Sequence, residues 1–181
     1  MAAAADLGVV VETVAVAGSR EAAGCPVAAA RAEIGKAMKP SEFVAQLDDA
    51  AVVAEISAAE RATSGEIRIY ISSKKIDDAL DRATQRFQKL GMHQTRERNG
   101  VLLYFAPKAQ KFAILGDVGI HEKCGQDFWD EVAGEIRGHL REQHFTEAVV
   151  TAVRKVGRLL AQHFPRASDD RDELSNEILR E

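Results

Sequence analysis

Apolar residues recur along this chain at two spacings, one typical of helices and one typical of strands. In four stretches they return every three or four positions, which predicts amphipathic helices over residues 41–62, 77–90, 121–142 and 145–164. Ser41 is placed to cap the first of these helices, and Gly65 is placed to end it.

Three shorter stretches predict β-strands. Residues 66–72 alternate strictly, with isoleucines on one face. Residues 100–106 are almost continuously apolar, as in a central strand that is buried on both faces. Residues 111–116 form the third strand and follow the second so closely that the two must make an antiparallel hairpin. The helix between the first and second strands predicts a parallel, right-handed crossover.

These elements together predict an α/β fold. The sheet is small and mixed, with three strands or slightly more, and it combines a parallel crossover with an antiparallel hairpin. Because helices precede, interrupt and follow the strands, we expect them to cover both faces, which gives an α/β/α sandwich.

The charge distribution divides the chain into one domain and two ends. The 181 residues carry a formal net charge of −4, yet residues 38–165 hold equal numbers of basic and acidic side chains. Residues 1–37 are rich in alanine and are predicted to be a disordered extension, with Met38 as a candidate start of the protein proper. Residues 166–181 are predicted to be an acidic tail.

Composition excludes several classes of protein. No overall basic field exists, so nucleic acid is not an expected partner. No run of about 18 apolar residues is present, so we expect no transmembrane segment. Asp6 precedes the first apolar run and Glu12 interrupts it, and Arg20 and Glu21 stand directly before a lipoprotein-like Ala22-Ala23-Gly24-Cys25. Neither is typical of a signal peptide, which favours a cytoplasmic location. Two cysteines are too few for a disulfide scaffold. The protein is expected to be a monomer.

The predicted topology brings polar residues to one edge of the sheet. The starts of the first two strands and the end of the third meet there, which gathers Glu66, Arg98, Asn99 and Asp117 beside the helix that begins near His121. Carboxylate and amide oxygens suit Ca²⁺ or Mg²⁺, so Glu66, Asn99 and Asp117 are candidate metal ligands. Alternatively, Asp117 caps the helix and Glu66 pairs with Arg98 on the surface.

Established catalytic motifs are missing from the chain. It contains no His-Glu-x-x-His helix, no Gly-x-Ser-x-Gly turn and no phosphate-binding glycine loop. His139 and His144 are five residues apart, a poor spacing for shared metal ligation. Cys124 is interpreted as a small helix residue and Trp129 as a core anchor.

The ordered set of segments around the strands resembles a known family. The segments are Thr63-Ser64-Gly65-Glu66-Ile67, Arg98-Asn99-Gly100-Val101-Leu102-Leu103 and Phe112-Ala113-Ile114-Leu115-Gly116-Asp117-Val118-Gly119-Ile120, followed by Phe128-Trp129. Residues 41–165 are similar to the TPM domain, and residues 169–178 are similar to the ending of its soluble bacterial branch. The resemblance implies an α/β/α fold, a divalent-cation crevice in some members and weak acid phosphatase activity in plant members.

Two residues depart from the family pattern at the polar edge. Arg98 stands where many members have an acidic residue, and His121 stands where many have glutamate. Losing two carboxylates weakens a cation site, whereas Arg98 and His121 beside a helix N-terminus favour an anion.

Two functional hypotheses follow. The first is an accessory or interaction module that binds a divalent cation, Ca²⁺ or Mg²⁺, and acts with an unidentified protein partner. The alternative is a metal-assisted phosphomonoesterase at the same edge. There Glu66 and Asp117 would hold the metal, Arg98 would clamp the phosphate and His121 would be the general acid.

Overall fold

The computed structural model describes residues 28–33, 39–166 and 177–181. Five strands and five helices lie within these ranges. In chain order they are β1 (Ala28–Glu33), α1 (Pro40–Ala45), α2 (Asp49–Glu60), β2 (Ile67–Ile71), α3 (Ala79–Lys89), β3 (Val101–Ala106), β4 (Lys111–Gly116), α4 (Val118–Arg141), α5 (Phe145–His163) and β5 (Leu179–Arg180).

The strands form one mixed sheet in the order β1-β4-β3-β2-β5. Strands β2 and β3 are parallel, with Ile67 opposite Val101, and β3 and β4 form an antiparallel hairpin, with Val101 opposite Gly116. The predicted crossover and hairpin are therefore both present.

Helices cover both faces of the sheet. On one face, α3 lays Ala83 and Phe87 against the side chains of Leu102 and Tyr104. On the other face, α1, α2, α4 and α5 pack around the isoleucines of β2 and around Trp129. The α/β/α sandwich predicted from the sequence is confirmed.

Two strands come from outside the three that were predicted. Strand β1 lies in the Ala-rich segment 1–37 and pairs antiparallel with β4. Strand β5 lies in the acidic tail and pairs parallel with β2. The disorder predicted for the rest of residues 1–37 falls on residues 1–27 and 34–37, outside the described part of the chain.

The helix predicted over residues 41–62 is two helices. Asp48 accepts a hydrogen bond from the backbone N–H of Ala51 at 3.0 Å and so starts α2 afresh. Ser41 is not the cap of α1, because Lys39 takes that position and Pro40 occupies the first turn, where its missing N–H costs nothing. The break lets the short α1 place the ring of Phe43 5.0 Å from that of Phe145.

Helix α4 begins earlier than predicted and is bent. It starts at Val118, directly after its cap Asp117, and Gly125 inside it adopts φ 67° and ψ −175°. Glycine takes this left-handed φ without a side-chain penalty, so the helix changes direction there. Of the helices described, none is both long and apolar enough to cross a bilayer.

The apolar core between the sheet and helices α1, α2, α4 and α5, here called the larger core, reaches Gly116 at the end of β4. A substitution at Gly116 tests how tightly this core is packed. A Cβ there would lie 2.3 Å from Cζ2 of the buried Trp129 ring, which cannot move without disturbing the core. We expect Gly116→Ala to lower the free energy of unfolding by about 1–3 kcal/mol, measured by urea denaturation.

Gly134 provides the matched control. It lies in α4 with open space around its Cα, so Gly134→Ala should raise stability by up to about 1 kcal/mol through helix propensity. Equal effects of the two substitutions would contradict the packing described here.

Candidate functional site

The polar edge is the edge of the sheet at which β2 and β3 begin and β4 ends; it includes Glu66, Arg98, Asn99 and Asp117. The N–H of Val101 donates to the carbonyl of Glu66 at 2.8 Å, and the N–H of Asp117 donates to the carbonyl of Gly100 at 3.0 Å. These bonds place the starts of β2 and β3 beside the end of β4, as the sequence predicts.

Asp117 is the centre of this edge. Its side chain is fully buried, at 0% exposure, and one oxygen caps α4 by accepting from the N–H of Val118 at 2.7 Å. Arg98 binds both oxygens, with Nε 2.7 Å from Oδ2 and Nη2 2.8 Å from Oδ1. A two-point pairing of this kind fixes orientation as well as charge.

Arg98 is held in an unusual backbone conformation. Its φ is 54°, in the left-handed region that non-glycine residues seldom adopt. Its N–H donates to the carbonyl of Thr95 at 3.1 Å, and its own carbonyl accepts from the N–H of Gly119 at 3.0 Å. Hydrogen bonding to Asp117 raises the pKa of Arg98, so the guanidinium stays charged.

Gly119 is required for this close approach. A Cβ at Gly119 would lie 2.3 Å from the carbonyl oxygen of Glu97 and 2.8 Å from that of Arg98. Both contacts are with backbone, which cannot move aside, so the first turn of α4 rests directly on the 97–98 peptide.

Ser64 and Glu97 belong to the edge but were not identified from the sequence. Asn99 donates through Nδ2 to Ser64 Oγ at 3.1 Å, and Ser64 Oγ donates to Glu97. The backbone N–H of Asn99 donates to Thr95 Oγ1 at 3.1 Å, while its Oδ1 is buried without a hydrogen-bond partner. Ser64 precedes β2 by three residues, and Asn99 precedes β3 by two. Because residues that precede two parallel strands lie close together, this similar spacing could have predicted the contact between Ser64 and Asn99.

Glu66 contributes its backbone carbonyl to the edge, where it accepts from the N–H of Val101. The residue is buried, and its charge acts on Arg68 two positions along β2. Burial lowers the pKa of Arg68, and the negative charges of Glu66, Glu60 and Glu177 oppose that shift. Glu66 therefore belongs electrostatically with Arg68, whereas Arg98 pairs with Asp117.

His121 lies in the first turn of α4, with its backbone N–H 3.2 Å from the carbonyl of Asp117. Its ring is half-buried, and Nδ1 is inaccessible and has no hydrogen-bond partner. Trp129 and Cys124 agree with the structural roles predicted for them. Trp129 is fully buried in the core, and burial raises the pKa of the Cys124 thiol to about 11.

A resident divalent cation does not fit the edge in this arrangement. Both oxygens of Asp117 are hydrogen-bonded to a guanidinium that already neutralises them. Among the residues described, no group of three or more His, Cys, Asp or Glu side chains is arranged to hold a metal ion. Asn99 Oδ1 is a suitable ligand atom, but one amide oxygen does not make a site.

Comparison with known proteins agrees with the fold. A family model described as the TPM domain matches residues 38–159. The chain belongs to the TPM domain family. A search of curated protein sequences finds no match.

A solved structure supports the same assignment. This TPM domain is similar to the NMR structure of the BA42 protein from the psychrophilic bacterium Bizionia argentinensis, with 38% sequence identity and a TM-score of 0.68. The match covers 74% of this chain and 92% of BA42.

The Arg98–Asp117 pair should contribute measurably to stability. Arg98→Met leaves a buried carboxylate without its counter-charge; fully buried pairs lose about 3–5 kcal/mol in this way, and we expect about 2 kcal/mol because Arg98 is 36% exposed. Asp117→Asn in the Arg98→Met background should recover part of the loss, measured by urea unfolding in a double-mutant cycle.

Arg154 is the control for this measurement. It makes a similar two-point pair with Glu55, at 3.1 and 2.9 Å, but on the surface between α5 and α2. Arg154→Met should leave stability almost unchanged, because solvent screens exposed pairs. If both substitutions had the same small effect, the Arg98–Asp117 pair would not organise the edge.

Proposed function

We propose that this TPM domain is a binding module in which Arg98 supplies the positive charge that the polar edge requires. The observation that carries the proposal is the two-point contact of Arg98 with both oxygens of the buried Asp117. A charged side chain fixed within the fold takes over the role that a bound cation would have opposite a carboxylate.

A divalent cation would have to displace Arg98 to reach Asp117. The displacement breaks two charge-assisted hydrogen bonds and leaves the guanidinium without its counter-charge. The cation-binding hypothesis therefore requires the edge to rearrange, whereas the binding-module proposal uses it as it stands.

Arg98 keeps donors for a partner. Its Nε and Nη2 bind Asp117, and these bonds do not use the two N–H groups on Nη1. Because about a third of the side chain is exposed, a carboxylate or phosphate oxygen of a protein partner is the group best suited to approach it.

The alternative function, a metal-assisted phosphomonoesterase, has one observation in its favour. The unpartnered Nδ1 of His121 and the unpartnered Oδ1 of Asn99 are polar atoms without an evident structural use. Against it, Asp117 is already paired with Arg98, so neither residue is available for the role that the mechanism gives it.

A cation titration distinguishes an edge at which Arg98 neutralises Asp117 from an edge at which a divalent cation does so. Amide shifts of the wild-type protein should not change at Ser64, Asn99 and Asp117 on addition of millimolar Ca²⁺ or Mg²⁺. Arg98→Glu adds a carboxylate and frees Asp117, so the same residues should then respond with saturation. Saturable shifts in the wild-type protein would contradict the proposal and support a resident cation.

Hydrolysis of a generic aryl phosphate tests the alternative. We expect the wild-type protein and Asp117→Asn to show the same rate, at the level of the buffer, with either cation present. Activity that co-purifies with the wild-type protein and falls at least about 100-fold in both Asp117→Asn and His121→Gln would establish the phosphatase instead.

A further inference from the structure

The segment of residues 177–181 completes one edge of the sheet. Strand β5 pairs parallel with β2, with Leu179 opposite Tyr70 and Arg180 opposite Ile71. The N–H of Glu181 donates to the carbonyl of Ile71 at 3.2 Å, and the N–H of Ser73 donates to the carbonyl of Glu181 at 3.0 Å. Main-chain bonds thus hold the segment as an added strand.

Side chains of the segment alternate between the two faces of the sheet. Ile178 packs against the larger core and Leu179 against the core under α3. Arg180 Nη2 lies 2.6 Å from each carboxylate oxygen of Asp49 in α2. Glu181 then falls on the α3 side, where it is one of the residues that line a cavity.

The cavity is a receptor for a carboxylate. It has a volume of about 130 Å³ and lies between α3 and the ends of β2 and β3. Glu181 Oε2 accepts from Lys74 Nζ at 3.1 Å and from Arg86 Nη2, and Oε1 accepts from Ser72 Oγ at 3.3 Å. Although Lys74 is largely exposed, the Glu181 side chain is only 22% exposed.

Tyr104 lines the cavity, and the ring of Tyr70 packs against that of Tyr104. Tyr70 and Tyr104 stack with centroids 5.6 Å apart and planes 8° apart, and the Arg86 guanidinium lies 4.8 Å from the Tyr70 centroid. Burial raises the pKa of Tyr70 to about 12, so its hydroxyl keeps the proton that it donates to Glu181. The ring also orients Arg86 through a cation–π contact.

Positive charge around the cavity exceeds what one carboxylate needs. Arg82 and Lys89 line it in addition to Lys74 and Arg86. Burial opposes ionisation of Glu181, but the hydrogen bonds from Lys74, Arg86 and Tyr70 outweigh it and lower its pKa. The site is therefore built for negative charge.

We propose that the edge of β2 and this basic cavity form a recognition site for an extended acidic peptide, which residues 177–181 occupy as an intramolecular ligand. Strand addition supplies affinity through the main chain, and the cavity supplies selectivity for an acidic side chain two positions after an apolar one. This site is separate from the polar edge and does not depend on the function proposed for that edge.

A variant that lacks residues 177–181 tests the proposal. The added probe is a synthetic peptide of residues 177–181 with both ends blocked, followed by amide shifts of the variant. We expect saturable shifts at Ser73 and along β2. The same peptide with Glu181→Gln should bind at least about tenfold more weakly, because a charge-assisted hydrogen bond contributes about 1.5–3 kcal/mol.

Matched substitutions in the shortened variant locate the binding. Arg86→Gln should weaken peptide binding by a similar factor, whereas Arg158→Gln, which changes an exposed arginine of α5 in the other helix layer, should not. Equal binding of the Glu and Gln peptides would overturn the proposal. Binding of inorganic phosphate without binding of the peptide would overturn it as well, and would assign the cavity to a small anion.

The full-length protein gives a second test that does not rely on the shortened variant folding. Glu181→Gln weakens the intramolecular ligand but keeps the chain intact, so the Glu-containing peptide should bind this variant at least about tenfold more tightly than it binds the wild-type protein. An unchanged affinity would contradict occupation of the cavity by residues 177–181.

Discussion

The buried carboxylate of Asp117 is the constraint on which the rest of the polar edge depends. A fully buried charge must find several hydrogen bonds, and Asp117 finds them in the first turn of α4 and in Arg98. Because the same side chain caps α4 and holds Arg98, the position of the helix and that of the loop before β3 are set together. The close contact of Gly119 with the 97–98 backbone is the steric counterpart of that pairing.

Burial of this pair is better explained by positioning than by stability. Removing two charges from water costs several kcal/mol, and a well-packed apolar pair often serves a core equally well. What an apolar pair does not provide is a fixed direction. The guanidinium of Arg98 binds both oxygens of Asp117, and this two-point contact fixes the direction of the Arg98 side chain.

Backbone topology was predictable from the sequence, and side-chain pairing was not. Strand alternation and the short hairpin correctly brought Arg98, Asn99 and Asp117 to one edge, and Asp117 was correctly weighed as a helix cap. Glu66 was also weighed as a partner of Arg98; in the structure Arg98 makes its two-point contact with Asp117, and the charge of Glu66 acts on Arg68.

Other elements were missed for equally physical reasons. The apolar spacing of residues 41–62 continues through the break at Asp48, so periodicity alone could not separate α1 from α2. Strand β5 has two residues, and its position depends on Glu181 reaching side chains more than ninety positions away. No local pattern reports a contact of that range.

The polar edge and the basic cavity differ in where the carboxylate that pairs with their basic side chains comes from. At the polar edge, Arg98 precedes β3 and Asp117 follows β4, and these two strands are hydrogen-bonded to each other, so separating the pair disturbs the fold itself. At the basic cavity, the carboxylate arrives on a separate two-residue strand that is bound along one side. A tethered occupant of that kind acts at an effective concentration of roughly millimolar, which a ligand in solution can match. Exchange of ligands is therefore physically easier at the cavity than at the edge, even though the edge carries the residues that first suggested a function.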